Sequence, residues 1–205
     1  MKIVIFGATG RTGSEILSRA LKNGHEVKAF VRTPEKCEPH ERLILVQGDV
    51  RNADEVKRVI EGADAVVSAL GTDKTTTLTE SIPLIIDGMT EHGVKRIVTI
   101  GTAGILQSRN ESSQLRYQSK DSNRKLTFAA EEHHKAFDLL RNSALDWTIV
   151  CPTYLPDGEA VGNYRTERDF LPIDGKEIST KDTAAFAYDE LIKKEHIGYR
   201  VGISY

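Results

Sequence analysis

A glycine-rich turn close to the start of the sequence constrains the fold more than any other feature. Residues 3–13 read IVIFGATGRTG, and the apolar, β-branched run Lys2–Phe6 predicts a strand that is buried on both faces. In residues 14–21 the apolar side chains recur with the period of a helix that buries one face. A strand, a glycine turn and a helix in this order are typical of the opening of a dinucleotide-binding unit.

The three glycines of this turn are spaced three residues apart, and each has its own physical role. Gly7 lets the chain turn sharply off the strand, Gly10 leaves the backbone bare where a pyrophosphate would approach the helix N-terminus, and Gly13 lets the helix pack close to the strand. The spacing GxxGxxG departs from the GxGxxG of most dehydrogenases, and a glycine turn that binds nothing is the alternative. The strand predicted at Glu26–Val31 favours nucleotide binding. The turn also offers polar side chains to the phosphates, namely Thr9, Arg11 and Thr12.

Composition restricts the class of protein. A chain of 205 residues suits one well-buried α/β domain, so we expect a single domain over residues 1–205. The formal net charge of −2, from 28 basic and 30 acidic residues, argues against a nucleic acid or an anionic membrane as partner. The apolar runs are too short for a membrane span or a signal peptide, so a cytoplasmic protein is expected. Cys37 and Cys151 are too few for a disulfide framework, and no metal-ligand spacing is present.

The rest of the chain alternates apolar strands with amphipathic helices. Further strands are predicted at Glu26–Val31, 43–46, 65–70, Arg96–Ile100, 146–151 and 199–203, and helices after residues 52–54 and at 79–92, 126–142 and 184–193. This alternation predicts an α/β, Rossmann-type doubly wound, mostly parallel sheet with helices on both faces. Right-handed crossovers favour the strand order 3-2-1-4-5, with later strands beyond the fifth. Thr180 is a candidate N-cap for the last helix.

In such a sheet the loops that leave the carboxyl ends of the strands face one crevice, where ligands bind. We expect the substrate part of this crevice to be formed by loops 101–125 and 152–175. Residues 107–125 are polar and contain few bulky hydrophobic residues, so an active-site lid and a disordered excursion are both open. Residues 161–173 predict extended segments.

The end of the second predicted strand bears on the choice of nucleotide. In NAD-binding units an acidic residue at this position binds the adenosine ribose, whereas an arginine suits a 2′-phosphate. Here the strand ends in Arg32, and Lys36 follows four positions later. A guanidinium can hold a phosphate through paired donors, so NADP is favoured over NAD. A solvated surface arginine is the alternative.

Several motifs together resemble a known family. They are GATGRTG at residues 7–13, FVR at 30–32, GDV at 48–50, ALG at 69–71 and LRNSALDWTIVCP at 140–152. On these motifs the chain resembles the atypical short-chain dehydrogenases/reductases, an NAD(P)H-binding family. Within them it is most similar to the NADPH-dependent flavin reductase/biliverdin-IXβ reductase group, over nearly the whole chain. The resemblance implies NADPH as cofactor and a small-molecule acceptor, either a flavin or a tetrapyrrole-like compound.

The resemblance also implies roles for individual residues. Thr102, His133 and Tyr154 are the candidate catalytic residues. Each has a simpler interpretation: Thr102 as a strand-end hydroxyl bonded to the backbone, His133 as a helix-face histidine, and Tyr154 as a packing residue. The candidate cofactor-binding residues, from the glycine turn to the nicotinamide end, are Gly7, Thr9, Gly10, Arg11, Thr12, Gly13, Arg32, Lys36, Asp49, Val50, Leu70, Gly71, Thr102, His133 and Pro152.

The chain departs from the pattern of the short-chain dehydrogenases at several positions, and these departures bear on which reaction it can catalyse. The YxxxK pair of ordinary short-chain dehydrogenases is missing, because Tyr117 and Lys120 are only three positions apart. Thr102 and Tyr154 stand where the biliverdin reductase relatives carry a serine and a histidine. Hydride transfer to a flavin needs stacking and alignment more than a dedicated proton donor, so an NADPH-dependent reductase of a flavin or related planar acceptor is favoured. A reductase or epimerase of a small carbonyl substrate, and a non-catalytic redox sensor that binds the dinucleotide, are the alternatives.

Overall fold

The computed structural model describes residues 1–122 and 125–205 and contains an eight-stranded sheet. The strands are β1 (Lys2–Phe6), β2 (Glu26–Val31), β3 (Leu43–Gln47), β4 (Ala65–Ser68), β5 (Arg96–Ile100), β6 (Asp146–Pro152), β7 (Arg165–Arg168) and β8 (Tyr199–Ser204). The α-helices are α1 (Arg11–Lys22), α2 (Ala53–Ile60), α3 (Thr77–Glu91), α4 (Phe128–Arg141) and α5 (Thr180–Lys193). Short 3₁₀ helices occur at Pro34–Lys36, Ala103–Ile105 and Arg116–Gln118.

The sheet is a doubly wound Rossmann-type sheet, as the sequence predicts. Its strand order is β3-β2-β1-β4-β5-β6-β8-β7, and every pairing is parallel except that of β7 with β8. The predicted order of the first five strands is confirmed. The order reverses between β1 and β4, so the loops after these two strands diverge and leave a crevice at the carboxyl edge of the sheet.

Two hydrophobic clusters lie on opposite faces of the sheet, and β1 shows how one strand serves both. Its side chains alternate, so Ile3 and Ile5 join one cluster while Val4 and Phe6 join the other. Helices α1 and α5 cover the first cluster, and α2, α3 and α4 cover the second. Burial on both faces explains why the central strands are almost continuously apolar.

Helix starts follow the hydrogen-bonding capacity of the preceding residue. The Asn52 side chain accepts hydrogen bonds from the first-turn amides of α2, at 3.1 and 3.3 Å. For α5 the predicted cap, Thr180, is wrong by one residue. The backbone of Ser179 is still extended, and its hydroxyl accepts from the Asp182 amide at 3.1 Å, whereas Thr180 is already the first helical residue. No helix in the described ranges is long and apolar enough to cross a membrane.

The polar segment after β5 is organised around one carboxylate. Asp121 accepts hydrogen bonds from the Ser108 hydroxyl and the Arg109 amide, both at 2.8 Å, and from the Asn110 side chain at 2.5 Å. Leu115 is buried and anchors the segment to the hydrophobic cluster that α2, α3 and α4 cover. Over residues 107–122 a disordered excursion is therefore the wrong alternative. Residues 123 and 124 of the predicted lid lie outside the described residues.

Candidate cofactor and acceptor site

The glycine turn brings the start of α1 directly over the end of β1. Gly7 has a φ of +79°, and a Cβ there would lie 2.6 Å from the Ala69 carbonyl oxygen. Gly10 is the N-cap of α1 and has no side chain to occupy the free amides of the first turn. These N–H groups and the helix dipole favour a negative charge at this point. The turn can therefore hold a pyrophosphate, as its sequence predicts.

A pocket of about 270 Å³ extends from this turn across the ends of β2, β3 and β4, and we call it the adenosine pocket. It is bounded by four loops that are far apart in the sequence. Several predicted cofactor residues line it together: Gly7, Thr9, Gly10, Arg32, Lys36, Val50, Leu70 and Gly71. The carboxyl ends of parallel strands lie along one edge, which explains why these separate segments converge.

Arg32 lies in this pocket but already has a partner. Its Nη2 is 3.0 Å from the Asp73 carboxylate, and both side chains are largely exposed. Asp73 belongs to the loop after β4 and also lines the adenosine pocket, with a φ of +49°. A phosphate bound to Arg32 would have to replace this carboxylate. Sequence reasoning missed Asp73, because nothing local to it indicates a partner 41 positions away.

Arg51 is a second pocket residue that the sequence analysis missed. Its Nη2 donates to the Thr75 and Thr77 hydroxyls, both at 3.0 Å, and its Nε contacts Glu80. Arg51 therefore secures the loop after β4 against the loop after β3. Its position directly after the GDV motif was the available signal. Asp49, predicted beside the adenine, instead accepts a hydrogen bond from the Arg51 amide at 2.9 Å and does not line the pocket.

The remaining residues of the glycine motif face elsewhere. Arg11 extends away from the adenosine pocket, and its Nη1 donates to the Leu155 carbonyl at 3.0 Å and to Asp157 at 3.2 Å. Thr12 is buried within α1, and Gly13 packs against the turn itself. Arg11 thus links the phosphate-binding turn to the predicted substrate loop 152–175.

A second, smaller cavity of about 110 Å³ lies after β5 and β6, and we call it the acceptor recess. It brings together Thr102 and Pro152, from the two predicted substrate loops, and the first turn of α4. The Thr102 Oγ1 accepts a hydrogen bond from the Gly104 amide at 3.3 Å, as a strand-end hydroxyl would, and its proton is free to be donated. Arg116 and the exposed Leu126 also line the recess and were not predicted.

Tyr154 is not brought to the recess. Its side chain is 58% exposed, and its backbone forms an isolated bridge with Glu177. The Tyr154 carbonyl accepts from the Ile178 amide at 3.0 Å, which holds this stretch against the segment before α5. In this arrangement Tyr154 lies at the rim of the crevice.

His133 lies behind the strand ends, between the two cavities. It borders a gap of about 10 Å³ together with Ser68, Thr99 and Ile100, at the carboxyl ends of β4 and β5. Burial lowers the pKa of His133 to about 4, although the neighbouring Glu132 opposes this change. The imidazole is therefore neutral at pH 7, and it lines neither the adenosine pocket nor the acceptor recess.

Neither cysteine is a candidate nucleophile. Burial raises the pKa of the Cys151 thiol to about 12, and burial also raises the pKa of Cys37. A cluster of possible metal ligands lies at the end of α5, but it has a structural explanation. There the buried Glu190 accepts from the His196 ring at 2.7 Å and lies beside the buried Arg96.

Comparisons with known proteins identify the family to which the chain belongs. A family profile described as NAD(P)H-binding matches residues 7–194. The uncharacterized protein YwnB of Bacillus subtilis is 31% identical over 96% of this chain and 94% of its own. A candidate epimerase from Bacteroides thetaiotaomicron is 34% identical, with a TM-score of 0.87 over 100% of this chain and 96% of its own. A candidate NADH-flavin reductase from Streptococcus pneumoniae is 29% identical, with a TM-score of 0.85 over 100% and 99%.

One further structure supports the fold alone. A short-chain dehydrogenase/reductase from Veillonella parvula, solved in complex with NADP, is 16% identical, with a TM-score of 0.82 over 100% of this chain and 94% of its own. The expectation of a Rossmann-fold, NAD(P)H-binding oxidoreductase is confirmed at the level of the family and its structural neighbours.

The depressed pKa of His133 makes the stability of the fold depend on pH. Because the folded state holds this histidine neutral down to about pH 4, the unfolded chain binds the proton first as the pH falls below about 6.5. The free energy of unfolding should therefore fall between pH 6.5 and 4, by up to about 1.4 kcal/mol per pH unit from this group. His133→Gln should show a shallower decline in urea denaturation at pH 7, 6 and 5. Identical pH dependences for the two proteins would contradict this assignment.

Proposed function

Because the chain belongs to the NAD(P)H-binding family, we propose that it is an NADPH-dependent reductase that passes hydride to a flavin or a related planar conjugated acceptor. One observation carries the proposal: the adenosine pocket, the phosphate-binding turn and the acceptor recess follow one another in this order along the carboxyl edge of the sheet. A dinucleotide needs such a series of subsites, and a single metabolite does not.

The preference for NADPH rests on cations at the adenosine end. Arg32 and Lys36 both line the adenosine pocket, and paired guanidinium donors suit a phosphate. Asp73 works against this preference, since its carboxylate occupies Arg32 and would repel a 2′-phosphate. The bare first turn of α1 would hold the pyrophosphate. When bound, the cofactor supplies the hydride.

The acceptor recess limits what can receive that hydride. Its volume of about 110 Å³ is below the several hundred Å³ of pockets that enclose a drug-sized ligand. A planar tricyclic acceptor would therefore lie partly outside the recess, against an apolar rim. Leu126 lines the recess and is 90% exposed, and Phe128, two positions further along the chain, is 43% exposed. Exposed side chains of this size suit stacking with a flat conjugated ring.

Proton supply in this site does not depend on a tyrosine acid. The Tyr117 hydroxyl is 3.0 Å from the His134 Nδ1 and 3.2 Å from the Gln118 side chain. Its hydrogen bonds are therefore made to other side chains of the protein. Desolvation raises the pKa of Tyr117, which makes it a weaker acid. The Thr102 hydroxyl and solvent can meet the negative charge that develops on a reduced flavin.

A reductase or epimerase of a small carbonyl compound is the second candidate. The candidate epimerase from Bacteroides, at 34% identity, favours it. The absence of a YxxxK pair weighs against it, because carbonyl chemistry in short-chain dehydrogenases uses that tyrosine as the general acid.

Cofactor selectivity should respond in opposite directions to two substitutions. Arg32→Ala removes a charge-assisted phosphate contact and should weaken NADPH binding by about 1.5–3 kcal/mol, with little effect on NADH. Asp73→Asn frees Arg32 and removes a repulsive charge, so NADPH should bind more tightly, by up to about 1 kcal/mol because the ion pair is exposed. Calorimetric titration of both nucleotides checks this, with NADH as the internal control. Equal affinities of the parent protein for NADPH and NADH would refute the preference.

Turnover with a flavin tests the reaction itself. NADPH oxidation should be slow without an acceptor and should accelerate when riboflavin is added. Thr102→Ala should lower the rate modestly, because solvent can replace its proton, and the rim variant Tyr154→Phe should have a smaller effect. A loss beyond about 10⁴-fold for Thr102→Ala, with cofactor binding intact, would exceed the usual contribution of one acid–base group and would require a dedicated proton donor. Turnover with small carbonyl compounds but not with flavin would favour the second candidate.

A further inference from the structure

Arg116 gives the acceptor recess a positive charge that the proposed hydride transfer does not use. It is the one charged side chain among the described residues that line the recess. The other polar groups there are the hydroxyls of Thr102, Tyr117, Ser122, Thr127 and Thr153, and the remaining lining residues are apolar or glycine. The recess is therefore cationic.

The guanidinium of Arg116 makes few hydrogen bonds to the residues that the structure describes. Its Nη2 donates to the Asp121 backbone carbonyl at 3.0 Å. The Asp121 carboxylate is occupied by Ser108, Arg109 and Asn110. Across residues 1–122 and 125–205, no carboxylate oxygen lies within 4.0 Å of a guanidinium nitrogen of Arg116. An arginine has five N–H donors, so most of this group is left without a partner among the described residues and can bind a ligand.

Partial burial strengthens the attraction of the Arg116 guanidinium for an anion. Desolvation lowers the pKa of Arg116, while the nearby Asp121 opposes the change and Arg109 reinforces it. An arginine nevertheless keeps its proton in proteins, so the recess retains a partly desolvated cation. An anion that approaches it meets less screening than at an exposed arginine. The first turn of α4, through Ala129 and Ala130, borders the same recess, and its dipole has the matching sign.

The size of the recess indicates which part of the acceptor enters it. A volume of about 110 Å³ suits one small substituent, and Leu126, which lines the recess, is 90% exposed and offers apolar surface at its rim. Resting on the reductase function proposed above, we propose that Arg116 forms an anion subsite that receives a phosphate or carboxylate substituent of the acceptor. The flat ring then lies on the apolar rim, so the preferred substrates are anionic planar acceptors rather than neutral ones.

Three flavins that differ in their charged substituent test this subsite. Riboflavin has none, flavin mononucleotide carries a phosphate, and 10-carboxymethylflavin carries a carboxylate. KM is measured for each with saturating NADPH in the parent protein, in Arg116→Gln and in Lys120→Gln. Lys120 carries the same charge in the same segment, is exposed and does not line the recess, so its variant controls for net charge. Binding of each flavin is also measured by fluorescence quenching without NADPH.

The expected result is selective for charge. Arg116→Gln should raise KM for at least one anionic flavin by about tenfold or more, as expected for loss of a charge-assisted contact, and leave KM for riboflavin within about twofold. Whichever of the two anionic flavins is affected identifies phosphate or carboxylate as the recognised group. Arg116→Lys should restore part of the effect, and Lys120→Gln should resemble the parent protein. The riboflavin rate also reports whether each variant is folded.

Other results would separate this inference from the proposed function. Equal changes for riboflavin and both anionic flavins, or no change, would overturn the anion subsite while leaving NADPH-dependent flavin reduction intact. If the parent protein reduces no flavin, the proposed function fails and the fluorescence titrations decide the subsite. In that case a selective loss of anionic flavin binding in Arg116→Gln supports it, and unchanged binding overturns it.

Discussion

The close approach of the first helix to the first strand is the contact on which the site depends. A Cβ at Gly13 would lie 2.1 Å from the Gly7 carbonyl oxygen and 3.2 Å from the Ala69 Cβ, so this crossing admits only glycine. The approach places the first turn of α1 over the carboxyl edge of the sheet. At this edge the strand order reverses, and the free amides of the turn lie beside the adenosine pocket.

Charge is distributed unevenly along the crevice. The adenosine end carries Arg32, Lys36 and Arg51, partly offset by Asp73. The middle is bordered by the neutral His133, and the recess carries Arg116. A ligand with phosphates at one end, an uncharged ring near the middle and an anionic acceptor beyond it would match this distribution. The polar segment 107–122 is ordered for a separate reason, since the hydrogen bonds to Asp121 replace the apolar burial that its composition lacks.

Local patterns were sufficient to predict the elements and many of the residues that line the adenosine pocket. Strand and helix positions follow from periodicity, and residues such as Arg32, Val50 and Gly71 lie directly after strands, where topology alone brings them together. Asp73 and Arg51 were missed because their roles depend on contacts between loops that are far apart in the sequence. The Arg32–Asp73 ion pair is of this kind. Tyr154 was placed from family resemblance, but its backbone bridge to Glu177 holds it at the rim.

The central claim is that a dinucleotide lies along the carboxyl edge of the sheet, from the adenosine pocket to the acceptor recess. Hydrogen exchange of the backbone amides with and without NADPH tests it most directly. Binding should slow exchange in residues 7–13, 32–36, 48–51 and 101–104 together. A groove of about 520 Å³ between α1 and residues 36–43 is the rival location. Slowed exchange confined to residues 14–22 and 37–43, with the strand-end loops unchanged, would contradict the claim.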